Sequence, residues 1–283
     1  MTAFKMSKYA PYRSVEEYLQ LRPSYVLEGR SAENWVADAI CQCFPDAAGG
    51  TLAECGAGPG PLWELLPRNL KILAIEPNRA LWSPNYQSQV TYCEQDGFQF
   101  LVEHPGKVDV IAWMWALNYP LLAFFEEYEA HTRTVTRKDW IEGHHHCLDR
   151  LVQILKVRCQ AKWVVLFFDD ASVEQDFVTR VWKDVAPFPF QDRAHTRKIL
   201  EMAFQYQASE FGGRVEKIHL QGIAEYGPLD VAVQKMMNFH LRGNFSDEEG
   251  VRQRATAFLS QFETSGDVQC PAGAYLYRFI PES

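Results

Sequence analysis

The sequence predicts an α/β fold organised around a parallel sheet, and three observations predict it. Short, continuously apolar runs such as "KILAIE" and "KWVVLFF" read as strands buried on both faces. Longer amphipathic stretches alternate with them, as helices do when they cover both sides of such a sheet. Between the first run and the segment after it stands "CGAGPG", with glycine at 56, 58 and 60, where a strand gives way to the first crossover.

Taken in order, Ser14 to Asp46 is patterned as helix. Val15, Tyr18 and Leu19 share a face, and Trp35, Ala37, Ile40, Cys41 and Phe44 recur at helical spacing before the break at "FPDAAGG". "TLAEC" is the first strand and "PLWELLPR" a helix opening on proline. "KILAIE" and "VTYCEQD" are strands, "GFQFLVEH" a short helix and "KVDVIAWMW" a further strand. Ala116 to Gly143, rich in aromatics and charge, reads as loop and helix rather than sheet. "HHHCLDRLVQILKVRCQ" follows as an amphipathic helix with Leu148, Leu151, Val152 and Leu155 on one side, then "KWVVLFFDD" as a buried strand. The pattern is helical from Ser172 to about Ala186, broken at "APFPF", and helical again from His195 to Tyr206. "RVEKIHLQGI" and "AGAYLYRFI" alternate as strands, separated by a helix whose stripe is Val251, Ala255, Phe258, Leu259 and Phe262. The organisation expected is an N-terminal helical lid over 1–48 and a core over 49–283, with insertions at about 116–143 and 227–267.

The 283 residues carry 28 Lys and Arg against 36 Asp and Glu, a net charge of -8. That balance argues against a grip on phosphate backbones, so no nucleic-acid partner is expected. The seven cysteines form no CxxC pair, and an odd count suits a reducing compartment. No apolar run approaches the length of a membrane span and the N-terminus shows no signal-peptide core, so the expectation is a cytoplasmic protein with no membrane partner.

The glycine turn separates ligand classes by spacing. A dinucleotide fingerprint needs glycine at its first, third and sixth positions; counted from Gly56 the sixth is Pro61, and from Gly58 it is Trp63. There is also no Lys-Ser or Lys-Thr pair to make a P-loop. What stands there is acid-x-Gly-x-Gly-x-Gly, from Glu54 through Gly60, followed by Glu76 at the end of "ILAIE" and Asp96 in "CEQDGF".

This series resembles the class I S-adenosylmethionine-dependent methyltransferases. The resemblance covers the chain well to about Asp170, and it implies a seven-stranded, mostly parallel, doubly wound Rossmann-like sheet. It implies S-adenosylmethionine as cofactor, with Glu54 near its amino-acid end, Glu76 on the ribose hydroxyls and Asp96 at the adenine amino group. Gly56, Ala57, Gly58 and Gly60 would form the turn beneath it, and Pro77, Gly97, Phe98 and Trp113 would complete the cofactor site. The residue types suit the ligand: a sulfonium and an ammonium favour acidic and aromatic surroundings, a carboxylate accepts from two hydroxyls, and glycine lets the cofactor approach the backbone.

The loop "WMWALNYPL" should line the acceptor, through Trp115, Asn118 and Tyr119. His144 and His145, at a helix start, are candidates for the acceptor site and for the base, with Tyr119 beside them as a second catalytic candidate. Three consecutive histidines on a helix point in different directions, so no metal site is expected there. Asp170 reads as a helix cap rather than a ligand. Aromatic flanks at "APYRSVEEYLQLRPSY" and "NYPLLAFFEEYEAH" suit lids over a small organic molecule. The leading expectation is methyl transfer to a small-molecule acceptor, with a homodimer as an assembly the reading allows. A cofactor-using enzyme without methyl transfer, a protein methyltransferase and a non-catalytic binding module are the other readings.

Overall fold

The structure, a computed structural model, describes residues 12–44, 49–83, 89–129, 134–169, 172–185, 194–241 and 249–282. Helix α1 (Val15–Leu21) begins at Ser14, whose hydroxyl accepts from the Glu17 N–H. Strands β1 (Ser24–Leu27) and β2 (Arg30–Ser31) and helix α2 (Ala32–Cys41) come next. The central units are β3 (Gly50–Cys55), β4 (Leu70–Ile75), β5 (Val90–Cys93), α3 (Gly97–Glu103), β6 (Val110–Met114) and α4 (Asn118–Leu122). A hairpin of β7 (Glu126–Glu129) and β8 (Thr134–Arg137) leads to α5 (Trp140–Val157), β9 (Lys162–Phe168), α6 (Val173–Val185) and α7 (Ala194–Phe211). The chain closes with β10 (Arg214–Gly227), α8 (Leu229–Lys235), a π-helical turn at Met236–His240, α9 (Glu249–Leu259), β11 (Glu263–Thr264) and β12 (Asp267–Ile280).

The main sheet runs β2-β1-β10-β12-β9-β6-β3-β4-β5, with β11 beside β12, ten strands in all. From β9 to β5 every pairing is parallel. β12 is antiparallel to both of its long neighbours. The chain starts the parallel part at β3, builds outward to β4 and β5, then returns to β6 and β9 on the other side. Such a reversal opens a crevice at the carboxyl ends of the two strands where it occurs, here β3 and β6. This is the Rossmann-like, doubly wound fold.

Both faces are covered. One face, called the front, packs Val36 and Ile40 of α2, Phe177 and Val181 of α6, Ala232 of α8 and Leu259 of α9 against Leu52, Ala112, Val164 and Leu166. The back packs Phe98 and Leu101 of α3, Leu151 and Ile154 of α5 and Phe204 of α7 against Ala53, Ile111, Trp163 and Val165. Burial on both sides explains why these strands read as unbroken apolar runs; each large apolar side chain sealed here contributes about 1.5–3 kcal/mol. Among the described residues no helix is long and apolar enough to cross a membrane, and all seven cysteines are free.

Four expectations are corrected. The N-terminal segment is not helical throughout, because Ser24–Leu27 pairs antiparallel with β10 and extends the sheet; it is a four-residue strand whose side chains alternate, too short to register against a helical pattern. "PLWELLPR" forms only a 3-10 turn at Trp63–Leu65, since prolines bound it at 61 and 67 and Trp63 folds back over the glycine turn. Part of 116–143 is sheet, the β7–β8 hairpin. The sheet also has more than seven strands, because β1, β2 and β11 are added to the core. The breaks expected at 45–48 and at "APFPF" lie outside the described residues.

Candidate functional site

Gly56, Gly58 and Gly60 all adopt left-handed backbone, with φ of 69°, 54° and 75°, a conformation costing other residues about 1–2 kcal/mol. Their surroundings differ. A methyl group on Gly60 would stand 2.2 Å from the Trp63 ring, and one on Gly56 would stand 2.4 Å from the Ala116 side chain. At Gly58 it would meet only the Tyr18 ring, at 4.0 Å. The turn is therefore packed by the protein at its two ends and open in the middle.

Three acids stand at the carboxyl ends of adjacent strands. Glu54, on β3, is buried and accepts the Trp63 indole N–H at 2.5 Å. Burial pushes its carboxyl up to about 7; the Trp63 bond opposes that rise and the negative charge of Glu76 adds to it. Glu76, directly after β4, accepts the Gly58 N–H at 3.0 Å on one oxygen and the Asn78 N–H at 2.9 Å on the other. Each oxygen has a second lone pair for a ligand hydroxyl. Asp96 caps α3, accepting the N–H groups of Phe98 and Gln99 on a single oxygen; burial raises its carboxyl above the ordinary range against those two bonds. The arrangement is anionic, has an open backbone concavity, and holds a carboxylate rigidly beside it. It fits a ligand with vicinal hydroxyls and cationic groups.

Pro77 is half-buried behind Glu76, and Ala57 packs in the front core. Gly97 is bare because Trp113 needs the space: a methyl there would lie 2.4 Å from its ring. Trp113 therefore belongs to the back core, edge-on to Phe98, and not to the crevice, contrary to expectation. Trp115, two residues on, would face the same way if the strand continued. Its φ of 61° breaks the alternation, and its indole comes to the front, stacked on Phe168 at 4.2 Å and against Tyr25 at 4.9 Å. A bulky residue in this conformation is strained by about 1–3 kcal/mol.

Asn118 is buried and accepts from the Thr196 hydroxyl of α7 at 3.1 Å, and Tyr119 beside it is half-buried. His144 turns toward His195 of α7, with ring centroids 5.4 Å apart, while His145 is exposed on the outer surface of α5. Asn118 and His144 thus meet α7, whereas the Trp115 indole packs at the front against Tyr25 and Phe168. Asp169 pairs with His219 at 2.5 Å; Asp170 lies outside the described residues. Among the described residues no cluster suited to a metal ion occurs.

Several side chains at the crevice were not anticipated. Tyr18 of α1 lies over Gly58, and the Asn78 side chain donates to the Tyr12 carbonyl at 2.9 Å, so the segment before β1 is clasped to the turn. Trp82 donates to the Glu76 carbonyl and stacks on Tyr92 at 4.9 Å. At the front, Glu174 is fully buried and accepts from the hydroxyls of Tyr25 at 2.7 Å and Tyr226 at 2.6 Å, and His240 adjoins Tyr226 at 2.8 Å. Burial, then the neighbouring Glu174, pushes the Tyr226 hydroxyl far above its ordinary range, so it stays protonated. The only sequence signal for this group was the aromatic richness of the flanks, because its members come from four distant segments.

No protein-family model matches the sequence, and no curated protein matches it. Solved structures of similar chain path include a protein designated a type II methyltransferase from Anaeromyxobacter dehalogenans, 16% identical, with TM-score 0.49 over 92% of this chain and 97% of that one. YcgJ from Bacillus subtilis is 10% identical, with TM-score 0.49 over 88% and 99%. An S-adenosylmethionine-dependent methyltransferase from Geobacter sulfurreducens, solved with S-adenosyl-L-homocysteine, is 12% identical, with TM-score 0.44 over 88% and 91%.

Proposed function

We propose that the protein is an S-adenosylmethionine-dependent methyltransferase acting on a small organic acceptor. The observation that carries this reading is the Glu76 carboxylate, fixed by the Gly58 and Asn78 N–H groups beside the one open glycine of the turn. Glu76 would hold the ribose hydroxyls, Gly58 would give the nucleoside access to the backbone, and Asp96 with the Phe98 N–H region would meet the adenine edge. Bound there, the cofactor supplies an electrophilic methyl group. Glu54 supports the turn through Trp63 and contributes negative potential toward the cationic end.

In this reading, Tyr12 to Leu21 serves as a lid, since Tyr18 lies over Gly58 and α1 adjoins the π-helical turn. Orientation of acceptor and methyl group beneath such a lid supplies up to roughly 7–11 kcal/mol of the barrier. A small acceptor is favoured because the surroundings of Trp115 are aromatic and closed by the chain itself. Seven free cysteines accord with a reducing compartment. Incubation with methyl-labelled S-adenosylmethionine and a mixture of phenols, amines and carbon acids, with protein substrates added in parallel, tests the reading by mass spectrometry. Label on a small product supports it. Label only on added protein substrates, or cofactor binding with no label transferred, would replace it with the corresponding rival.

A further inference from the structure

Glu54 is the last front-facing residue of β3, and its partners in register are Ala74 of β4 and Ala112 of β6. Neither alanine side chain can offer it a hydrogen bond or a charge. Its Oε2 takes the Trp63 indole N–H, and among the described residues its Oε1 accepts no hydrogen bond. No lysine, arginine or histidine pairs with it among those residues either. A carboxyl group only 2% exposed, with half of its acceptor capacity unmet, is an incomplete arrangement.

The titratable groups around it are Glu76 after β4, Tyr92 of β5 and Cys55 of β3. Burial first, and the charge of Glu54 among smaller causes, push the Tyr92 hydroxyl and the Cys55 thiol up, so both stay protonated. Asp96 acts on the Cys55 thiol in the same sense. Glu76 acts on Glu54 itself: its negative charge adds to the rise that burial causes. A charge at the position of Glu76 is therefore felt at Glu54. Glu76 also holds the N–H of Gly58, the open glycine of the turn, so a positive charge laid in that cradle acts on Glu54 in the opposite direction. At an effective dielectric constant of about 20, a unit charge within about 12 Å changes proton affinity about tenfold.

We propose that Glu54 is a charge-sensing specificity residue, giving up its proton when a cationic nucleoside occupies the crevice and keeping it when the nucleoside is neutral. The inference rests on the methyltransferase reading, in which the ligand carries a sulfonium before transfer and an uncharged thioether after it. As the cation binds, the oxygen–hydrogen bond of the Glu54 carboxyl breaks with its electron pair left on oxygen, and the proton passes to water. The anion is then offset by the sulfonium and by the Trp63 N–H. Transfer takes one positive charge from the ligand, and a buried carboxylate without a counter-charge is costly. Glu54 therefore recovers a proton from water, which closes the balance. By reciprocity, the crevice holds the cofactor more tightly than its spent form by the factor that separates their effects on Glu54.

The test counts protons. Calorimetry of the full-length protein at pH 6.5, in two buffers of different ionisation enthalpy, gives the number released when S-adenosylmethionine or S-adenosyl-L-homocysteine binds. With its carboxyl at about 7, free Glu54 holds about three-quarters of a proton at that pH. The part due to Glu54 is the wild-type value less that of Glu54→Gln. It should be at least about half a proton for S-adenosylmethionine, as a tenfold coupling requires, and no more than about a quarter for S-adenosyl-L-homocysteine. Equal release with the two ligands, or release unchanged in Glu54→Gln, overturns the proposal and leaves the methyltransferase reading standing. No binding of either ligand overturns both. Should Glu54→Gln fail to fold, difference infrared spectra of the wild type decide instead. A protonated-carboxyl band that is lost on adding S-adenosylmethionine and kept on adding S-adenosyl-L-homocysteine supports the proposal; the same response to both overturns it.

Discussion

Trp63 donates its indole N–H to Glu54 across 2.5 Å, and both side chains are sealed from solvent, at 1% and 2% exposure. The indole reaches that carboxylate by crossing Gly60, where even a methyl group would collide with it. One glycine of the turn and its leading acid therefore serve the architecture, while Gly58 is open and its N–H is held by Glu76. This division separates the expected consequences of four substitutions.

Glu54→Gln should stabilise the protein at alkaline pH. The folded carboxyl lies at about 7 against an ordinary 4.5, so folding favours the protonated form. The cost is absent below about pH 4.5, grows as pH rises toward 7, and is full above it, at about 3 kcal/mol. Glutamine keeps an acceptor for Trp63 without that cost. Urea denaturation at pH 8 should show the variant more stable by up to about 3 kcal/mol, the gap closing near pH 5. A gap independent of pH would contradict the assignment.

Gly60→Ala and Gly58→Ala should part company. At Gly60 the methyl displaces Trp63 and strands a buried carboxylate, costing about 3 kcal/mol or more. At Gly58 the space is open and only the left-handed backbone resists, at about 1–2 kcal/mol. Thermal unfolding ranks the two. In the proposed function, Gly58→Ala nonetheless lowers cofactor affinity at least about tenfold, because the methyl projects into the cradle.

Arg158→Met should destabilise without touching the site. Its guanidinium donates to the carbonyls of Leu101 at 2.7 Å and Gly106 at 2.9 Å, and to that of His104, closing the end of α3. Loss of these charge-assisted bonds should cost about 2–3 kcal/mol in denaturant titrations, with cofactor affinity unchanged. A matching loss of affinity would show that α3 and the crevice are coupled.

The sequence carried the sheet because parallel strands buried on both faces leave continuous apolar runs, and β3, β4, β6 and β9 all fall where those runs do. It also carried the turn and its acids, since strand ends and glycines are local features. It assigned Trp113 to the cofactor crevice, whereas the alternation of β6 turns that indole into the back core, and the left-handed backbone that brings the Trp115 indole to the front leaves no mark in the sequence pattern. "PLWELLPR" was misjudged because the periodicity is helical while the tertiary pull of Glu54 on Trp63 is not local. Tyr25, Glu174, Tyr226 and His240 were out of reach for a different reason: their juxtaposition depends on β1 and β10 joining the sheet, a pairing between segments almost 200 residues apart.

Calorimetric titration of S-adenosylmethionine into the wild-type protein and Glu76→Ala tests the central claim most directly. The account predicts binding at one site in the wild type and an affinity lower by roughly 100-fold, about 3 kcal/mol, in a variant whose far-ultraviolet spectrum is unchanged. Equal affinity in the two proteins, or no heat of binding in the wild type, would contradict it.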